Sequence, residues 1–151
     1  MTVKIQYPAT VIIDENGRYL VKFKDFGWGG TDGETIDEDL SESVDCLDEL
    51  ISTTMENNEL LPVPGDMLAV NTYPVAPSAL IAAKAAIYSE QKRKHHKKKD
   101  LAALISKDEK FIRTLLDPHS GSKIQSIEAV LNALGKRLVI SIEDKPGIRH
   151  R

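Results

Sequence analysis

Lys92 to Lys99 reads KRKHHKKK, six cations packed around two histidines. Such a run repels itself in an isolated helix, so the phosphate backbone of a nucleic acid is its natural counterpart, and a disordered solubilising loop is the alternative. Fourteen residues on from Lys99 stands Arg113. With Lys110 and Thr114 it shares one face of a helical pattern, and Arg is the side chain best matched to guanine O6 and N7. Glu109 sits beside them and could accept from cytosine N4 or point away. Lys97, Lys98, Lys99, Lys107 and Lys123 would supply phosphate contacts around that face. The chemistry on offer is recognition of duplex DNA.

Other chemistry-bearing residues lead less far. Asp25-Phe26-Gly27-Trp28-Gly29-Gly30 is glycine-rich but lacks the Gly-Lys-Ser/Thr ending of a phosphate-binding P-loop. Asp25-Phe26-Gly27 spells a kinase tripeptide in a chain too short to be a kinase. His95 and His96 lie inside a cationic run that would repel a metal ion, and His119 and His150 stand apart. No Cys/His spacing matches a zinc site. No nucleophile, base and orienting group fall into a set, so neither an enzyme nor a cofactor is expected.

The charge is distributed unevenly along the chain. Residues 1–78 hold 4 Lys/Arg against 15 Asp/Glu, a net −11, and residues 79–151 hold 16 against 8, a net +8. The total of −3 conceals an acidic front and a basic back. The split favours two domains, one suited to a basic partner and one to a polyanion. Cys46, the single cysteine, excludes an internal disulfide framework and fits a reducing compartment. With no long apolar run and no signal-like N-terminus, a cytoplasmic protein off the membrane is expected.

The elements that must position these residues follow from periodicity. Val3–Ile13 and Tyr19–Lys24 alternate as strands around Asn16-Gly17, a hairpin signal. A short third strand is expected in the glycine-rich loop. Ile36, Leu40, Val44, Leu47, Ile51 and Met55 form one stripe of a long helix. Thr35 and Glu38 would cap it, Asp37–Asp39 would fill its first turn, and Asn57-Asn58 would end it. Met67–Val75 would close a β-β-β-α-β unit.

After Pro74 and Pro77 an alanine-rich helix is expected, with Leu80, Ile81, Ile87 and Tyr88 on its apolar face. Two short helices then span Lys98–Asp117, with Leu101, Leu104 and Ile105 facing Ile112, Leu115 and Leu116. Ser106-Lys107-Asp108 breaks them, and Asp108 caps the second. This is the spacing of a helix-turn-helix, or of a plain helical hairpin. Ser106 stands where glycine is common. A further helix carries Ile124, Ile127, Val130, Leu131 and Leu134 and stops at Gly135. Leu138, Ile140 and Ile142 alternate as a short strand that needs a partner, either a second copy or the front domain.

Taken together, these residues resemble the HicB antitoxins that end in a helix-turn-helix. In front the likeness rests on Tyr7-Pro8-Ala9, Gly17-Arg18-Tyr19, Gly33-Glu34-Thr35 and the run Asn58-Glu59-Leu60-Leu61-Pro62-Val63-Pro64. Behind, it rests on Ala83-Lys84, Asp100-Leu101-Ala102, Arg113 to His119 and Ala133 to Leu138. The resemblance implies an α+β chain. Residues 1–77 would be a partial RNase H-like domain neutralising a HicA-type toxin, a small basic ribonuclease that cleaves mRNA. Residues 78–143 would be a helix-turn-helix domain that dimerises and represses its own operon, and residues 144–151 a tail. Family members tend to have Ser/Thr and Gln where this chain has Lys97-Lys98. Asp25, Phe26, Trp28 and Asp32 are the expected toxin contacts, combining aromatic anchors with acid. The competing functional reading is a freestanding helix-turn-helix regulator with a small-molecule-sensing front domain. A residual RNase H-type nuclease lacks an evident carboxylate quartet.

Overall fold

The computed structural model describes residues 2–27 and 29–144, apart from the side chains of residues 37–39. The expected Thr35–Glu38 capping box, the acidic first turn, Trp28 and the tail beyond Asp144 lie outside the described residues.

The described residues divide into two units, the first comprising those up to Leu50, Pro62–Ser78 and residues 142–144. In it, β1 (Tyr7–Ile13), β2 (Tyr19–Lys22), β3 (Gly30–Gly33) and β4 (Thr72–Val75) form an antiparallel sheet in the order β3-β2-β1-β4. Between β2 and β3 lies a single 3-10 turn at Lys24–Phe26, and between β3 and β4 runs α1 (Ile36–Glu56). This is the expected β-β-β-α-β order. Alternation assigns one face of the sheet to the core: Ala9, Val11 and Val21 are buried, whereas Ile12 and Lys22 are exposed. Leu40, Leu47 and Leu50 are the buried stripe of α1. The approach to that stripe is close at Gly29, where an added Cβ would fall 2.7 Å from Leu50 Cδ2.

Three strand expectations are shortened or corrected here. β1 begins only at Tyr7, β2 stops at Lys22 because a 3-10 turn takes over at Lys24, and β4 begins only at Thr72. Residues before Thr72 instead form turns, with Leu68 N–H donating to Asp66 Oδ1 at 2.8 Å. In the hairpin only Gly17 takes positive φ, at 78°, and Asn16 does not. The Asp14 carboxylate gathers the N–H groups of Asn16 and Arg18 at 2.8 and 2.9 Å, which makes a longer loop than a two-residue turn.

The second unit contains Ile51–Leu61 together with Ala79–Ser141. Its helices are α2 (Ala79–Arg93), α3 (Lys98–Leu104), α4 (Glu109–Leu116) and α5 (Ile124–Ala133). α3 packs on α4 and α5, and α2 on α4 and α5. Ile81, Ile87, Leu101, Ile112, Leu115, Leu116, Ile127, Val130, Leu131 and Leu134 are among its buried apolar side chains, with Ala102 and, from the end of α1, Ile51 and Met55. Leu104 and Ile124, expected to face inward, are exposed. α3 is only seven residues long, and its buried positions are Leu101 and Ala102.

Four helices end alike. Asn58, His95, Ser106 and Gly135 each take a left-handed backbone, with φ of 57°, 57°, 56° and 79°. After each, the next N–H reaches back to the helix: Glu59 to Thr54 O, His96 to Gln91 O, Lys107 to Ala102 O and Lys136 to Leu131 O. These are Schellman closures, which satisfy carbonyls a helix end would otherwise leave open. Three of the four use a residue other than glycine, at a steric cost.

The expected strand at Leu138–Ile142 does not form in the single chain, since no ladder partner reaches it among the described residues. Val139 and Ile140 are 62% and 71% exposed.

Candidate nucleic-acid interface

The pair α3–α4 is built by local sequence rules. Asp108 is the N-cap of α4, its carboxylate accepting from Phe111 N–H at 2.8 Å. Lys97 occupies the N-cap of α3 and has no acceptor to offer, so half a capping box remains: Asp100 Oδ2 accepts from Lys97 N–H at 3.1 Å. Between the helices the left-handed residue is Ser106, the position where glycine is common.

On α4, Ile112, Leu115 and Leu116 are buried, and Lys110, Arg113 and Thr114 occupy the opposite, exposed face. The Arg113 guanidinium stands 3.4 Å from Glu109 Oε1 one turn back, with both side chains about half exposed. Such a surface pair contributes roughly 0.5 kcal/mol, little enough for a phosphate or base edge to displace it. Lys107 lies in the turn with Nζ 5.4 Å from the centre of the Phe111 ring. Lys123 is exposed at the N-cap of α5.

The basic run is divided by the fold. Lys92 donates to Asn58 Oδ1, Arg93 Nη2 to Glu90 Oε2 at 2.7 Å, and Lys94 Nζ to the Leu134 carbonyl at 2.5 Å. His95 makes the left-handed corner that ends α2. Burial pushes the Glu90 carboxyl up, but the Arg93 hydrogen bond and the charges of Lys136, Arg93 and Lys94 outweigh it and leave it low. Lys97, Lys98 and Lys99 are exposed at the start of α3, and Arg93 and Lys94 also keep exposed surface while making those contacts. The first half of the run therefore serves the fold through its side-chain contacts while remaining partly on the surface, and the second half is surface.

Behind α4 sits a residue that charge patterning passes over. Lys84 of α2 has no exposed surface. Its ammonium donates to Thr114 O at 3.2 Å, Asp117 O at 2.8 Å and Ser122 Oγ at 3.1 Å, which accounts for all three protons. Two of these acceptors lie at the C-terminal end of α4, where a cation is favoured by the helix dipole. Burial pushes the Lys84 pKa down, and the Asp117 charge opposes that shift. The Asp117 carboxylate accepts from His119 N–H at 2.9 Å and Ser120 Oγ at 3.0 Å. The His119 backbone bond first, then the Ser120 hydroxyl, hold its pKa below the ordinary range. A sequence signal exists: Lys84 falls three residues after Ile81 and three before Ile87, inside the apolar stripe of α2.

In the first unit the expected toxin contacts do not form a single exposed loop. Asp25 Oδ2 accepts from Gly65 N–H at 3.0 Å, and Phe26 stacks obliquely on Tyr7 with ring centres 4.8 Å apart. Both are half-buried. Asp32 lies on β3, exposed, 3.1 Å from Arg18 Nε. Trp28 lies outside the described residues. Tyr7 donates to Pro62 O at 2.8 Å, and burial together with the Asp25 charge pushes its pKa up to about 12. An open groove of about 570 Å³ lies between Gly29–Thr31 and the acidic side of α1 at Glu42, Asp45 and Glu49. Among the described residues no three His, Cys, Asp or Glu side chains are grouped to hold a metal ion. Nor is any described helix long and apolar enough to cross a membrane.

Comparison with known proteins gives the lineage. Residues 6–86 match the family described as HicB_like antitoxin of bacterial toxin-antitoxin system. Antitoxin HicB of Escherichia coli K12 is 28% identical over 134 residues, 89% of this chain and 96% of that protein. Antitoxin HicB 1 of Photorhabdus laumondii is 27% identical over 139 residues, 92% of this chain and 88% of that one. Antitoxin HicB of Pseudomonas fluorescens Pf0-1 is 25% identical over 111 residues, 74% of this chain and 76% of that protein. The matched region takes in the whole sheet, α1 and the first half of α2, including Lys84. The chain belongs to the HicB-like antitoxin family of bacterial toxin–antitoxin systems.

Proposed function

We propose that the first unit, a partial RNase H-like domain, binds and occludes a HicA-type ribonuclease toxin. The second unit is a helix-turn-helix domain that, as a dimer, binds operator DNA and represses its own operon. The observation that carries the DNA-binding half is α4 itself: a capped helix after a left-handed turn, apolar behind, with Lys110, Arg113 and Thr114 in front. Lys97–Lys99, Lys107 and Lys123 surround it as phosphate contacts. The net −11 of residues 1–78 supports capture of a basic partner, which it would steer on encounter. Trp28 and Asp32 are the toxin contacts to test first, because Asp25 and Phe26 already serve the fold.

Dimerisation is supported by the exposed segment after α5. Val139 and Ile140 stand in solvent in the single chain, and an alternating apolar segment of this kind is satisfied by pairing with its equivalent in a second copy. The role is regulatory, with no catalytic step assigned to the chain.

The test is to co-express the chain with the adjacent short basic reading frame, purify the complex, and assay it for RNA protection and DNA retardation. Both activities are expected, and RNA protection should weaken in the Trp28→Ala, Asp32→Ala double variant. Free cleavage of RNA by the co-purified pair would overturn the antitoxin half of the reading. Failure to retard DNA from upstream of the gene would overturn the repressor half.

A further inference from the structure

We propose that Lys84 is a positioning residue for base recognition: its ammonium fixes the exit of α4 and thereby the orientation of the helix that reads DNA. The inference rests on the reading of α4 as that helix. Three acceptors converge on one buried Nζ, and they come from three successive pieces of chain: the last turn of α4, the residue that ends it, and the loop leading to α5. A lysine with no exposed surface is uncommon, since burying an ammonium is costly unless every proton finds an acceptor. Here the cost is met by a geometry that admits little freedom. The Asp117 side chain tightens the same corner through His119 N–H and Ser120 Oγ.

The consequence for binding differs between the two kinds of contact. Phosphate contacts from Lys97–Lys99 and Lys107 are made by long, exposed side chains on α3 and the turn, which tolerate small shifts of the scaffold. Base contacts from Lys110, Arg113 and Thr114 require α4 to be held to about 0.5 Å and 10–20°. Loosening the end of α4 should therefore remove sequence preference and leave non-specific affinity almost intact. Thr114 belongs to both sets, since its backbone carbonyl is one of the acceptors of Lys84.

The experiment uses the full chain, a duplex from immediately upstream of its own reading frame, and a base-scrambled duplex of equal length. Lys84→Met keeps the apolar stem and removes the donors. The expected result is at least a tenfold loss of preference for the upstream duplex. Affinity for scrambled DNA should change less than twofold, and the salt dependence should be unaltered. Ser122→Ala removes one acceptor without stranding a backbone carbonyl, and is expected to lower the preference about threefold. It decides the matter if Lys84→Met does not fold. A wild-type chain with no preference would overturn the reading of α4 and this inference with it. A wild-type preference that survives in both variants would overturn the role of Lys84 only, as would an equal loss on both duplexes.

Discussion

The left-handed helix exits allow a calibrated stability experiment. Ser106 and Gly135 occupy equivalent positions after α3 and α5, with φ of 56° and 79°. A non-glycine residue in this conformation costs about 1–2 kcal/mol, and glycine's greater freedom in the unfolded chain takes back about 0.4–1 kcal/mol. Ser106→Gly should therefore stabilise the chain by about 0.5–1 kcal/mol, and Gly135→Ala should destabilise it by a similar amount. No heavy atom lies within 4 Å of a Cβ placed at Gly135, so that loss is a backbone effect and not a clash. Urea denaturation followed by far-UV circular dichroism measures both as midpoint shifts at constant slope, with Ser106→Ala as a near-neutral control. Raising the melting temperature by about 1–4 °C is the thermal counterpart for a chain of this size. A Ser106→Gly variant no more stable than wild type, beside a Gly135→Ala variant that loses the expected amount, would refute the left-handed exit of α3. The angle between α3 and α4 would then have to be set another way.

Gly29→Ala should lose about 2–4 kcal/mol, because its φ of 84° is strained for alanine and its Cβ would meet Leu50 at 2.7 Å; thermal unfolding followed by circular dichroism measures it. Asp117 has a lowered folded pKa, so its stabilisation is complete above the unfolded value of about 3.9 and disappears as pH falls through the folded pKa. Asp117→Asn should flatten that acid limb in urea midpoints taken from pH 6 to pH 2. Replacing Lys97, Lys98 and Lys99 with Ala should reduce the salt dependence of DNA binding by about 0.9 log units for every phosphate no longer neutralised, read from filter binding at several salt concentrations. Arg113→Ala should cost roughly 1–3 kcal/mol on the upstream duplex and much less on scrambled DNA, as measured by titration against each, if the guanidinium leaves Glu109 for a guanine.

Much of this architecture can be read from periodicity. Leu40, Leu47, Ile51 and Met55 in the stripe of α1, the two short helices with Asp108 between them, and the glycine stop at Gly135 follow from spacing and capping chemistry, whereas the burial of Ser43 and Leu50 in place of Val44 does not. The chain's family, too, is legible in short motifs scattered from Tyr7 to Leu138. Those motifs also contain residues whose work is internal. Tyr7 with Pro62, and Lys84 with Asp117, are hydrogen-bonded pairs separated by 55 and 33 positions, a relation no local window can show. Composition presents the basic run as one charged surface because it does not reveal which lysines are engaged with carbonyls. Alternation predicts a strand at Leu138–Ile142, but it signals only a side chain's preference for a face, not whether a neighbouring strand is present.

The segment Ile51–Leu61 groups with the helices that follow Ser78, although β4 separates them in sequence. Tyr88 donates to Glu59 O at 2.6 Å, His119 stands 2.5 Å from Glu56, and Lys92 reaches Asn58. A gene cut at the proline-marked junction near residue 78 would strip the downstream product of the lid on its own core. Recombination there is accordingly a poor way to graft the helical unit onto a different sheet unit. Because α1 contributes to both units, a cut that leaves Ile51–Leu61 with the downstream helices keeps that grouping whole.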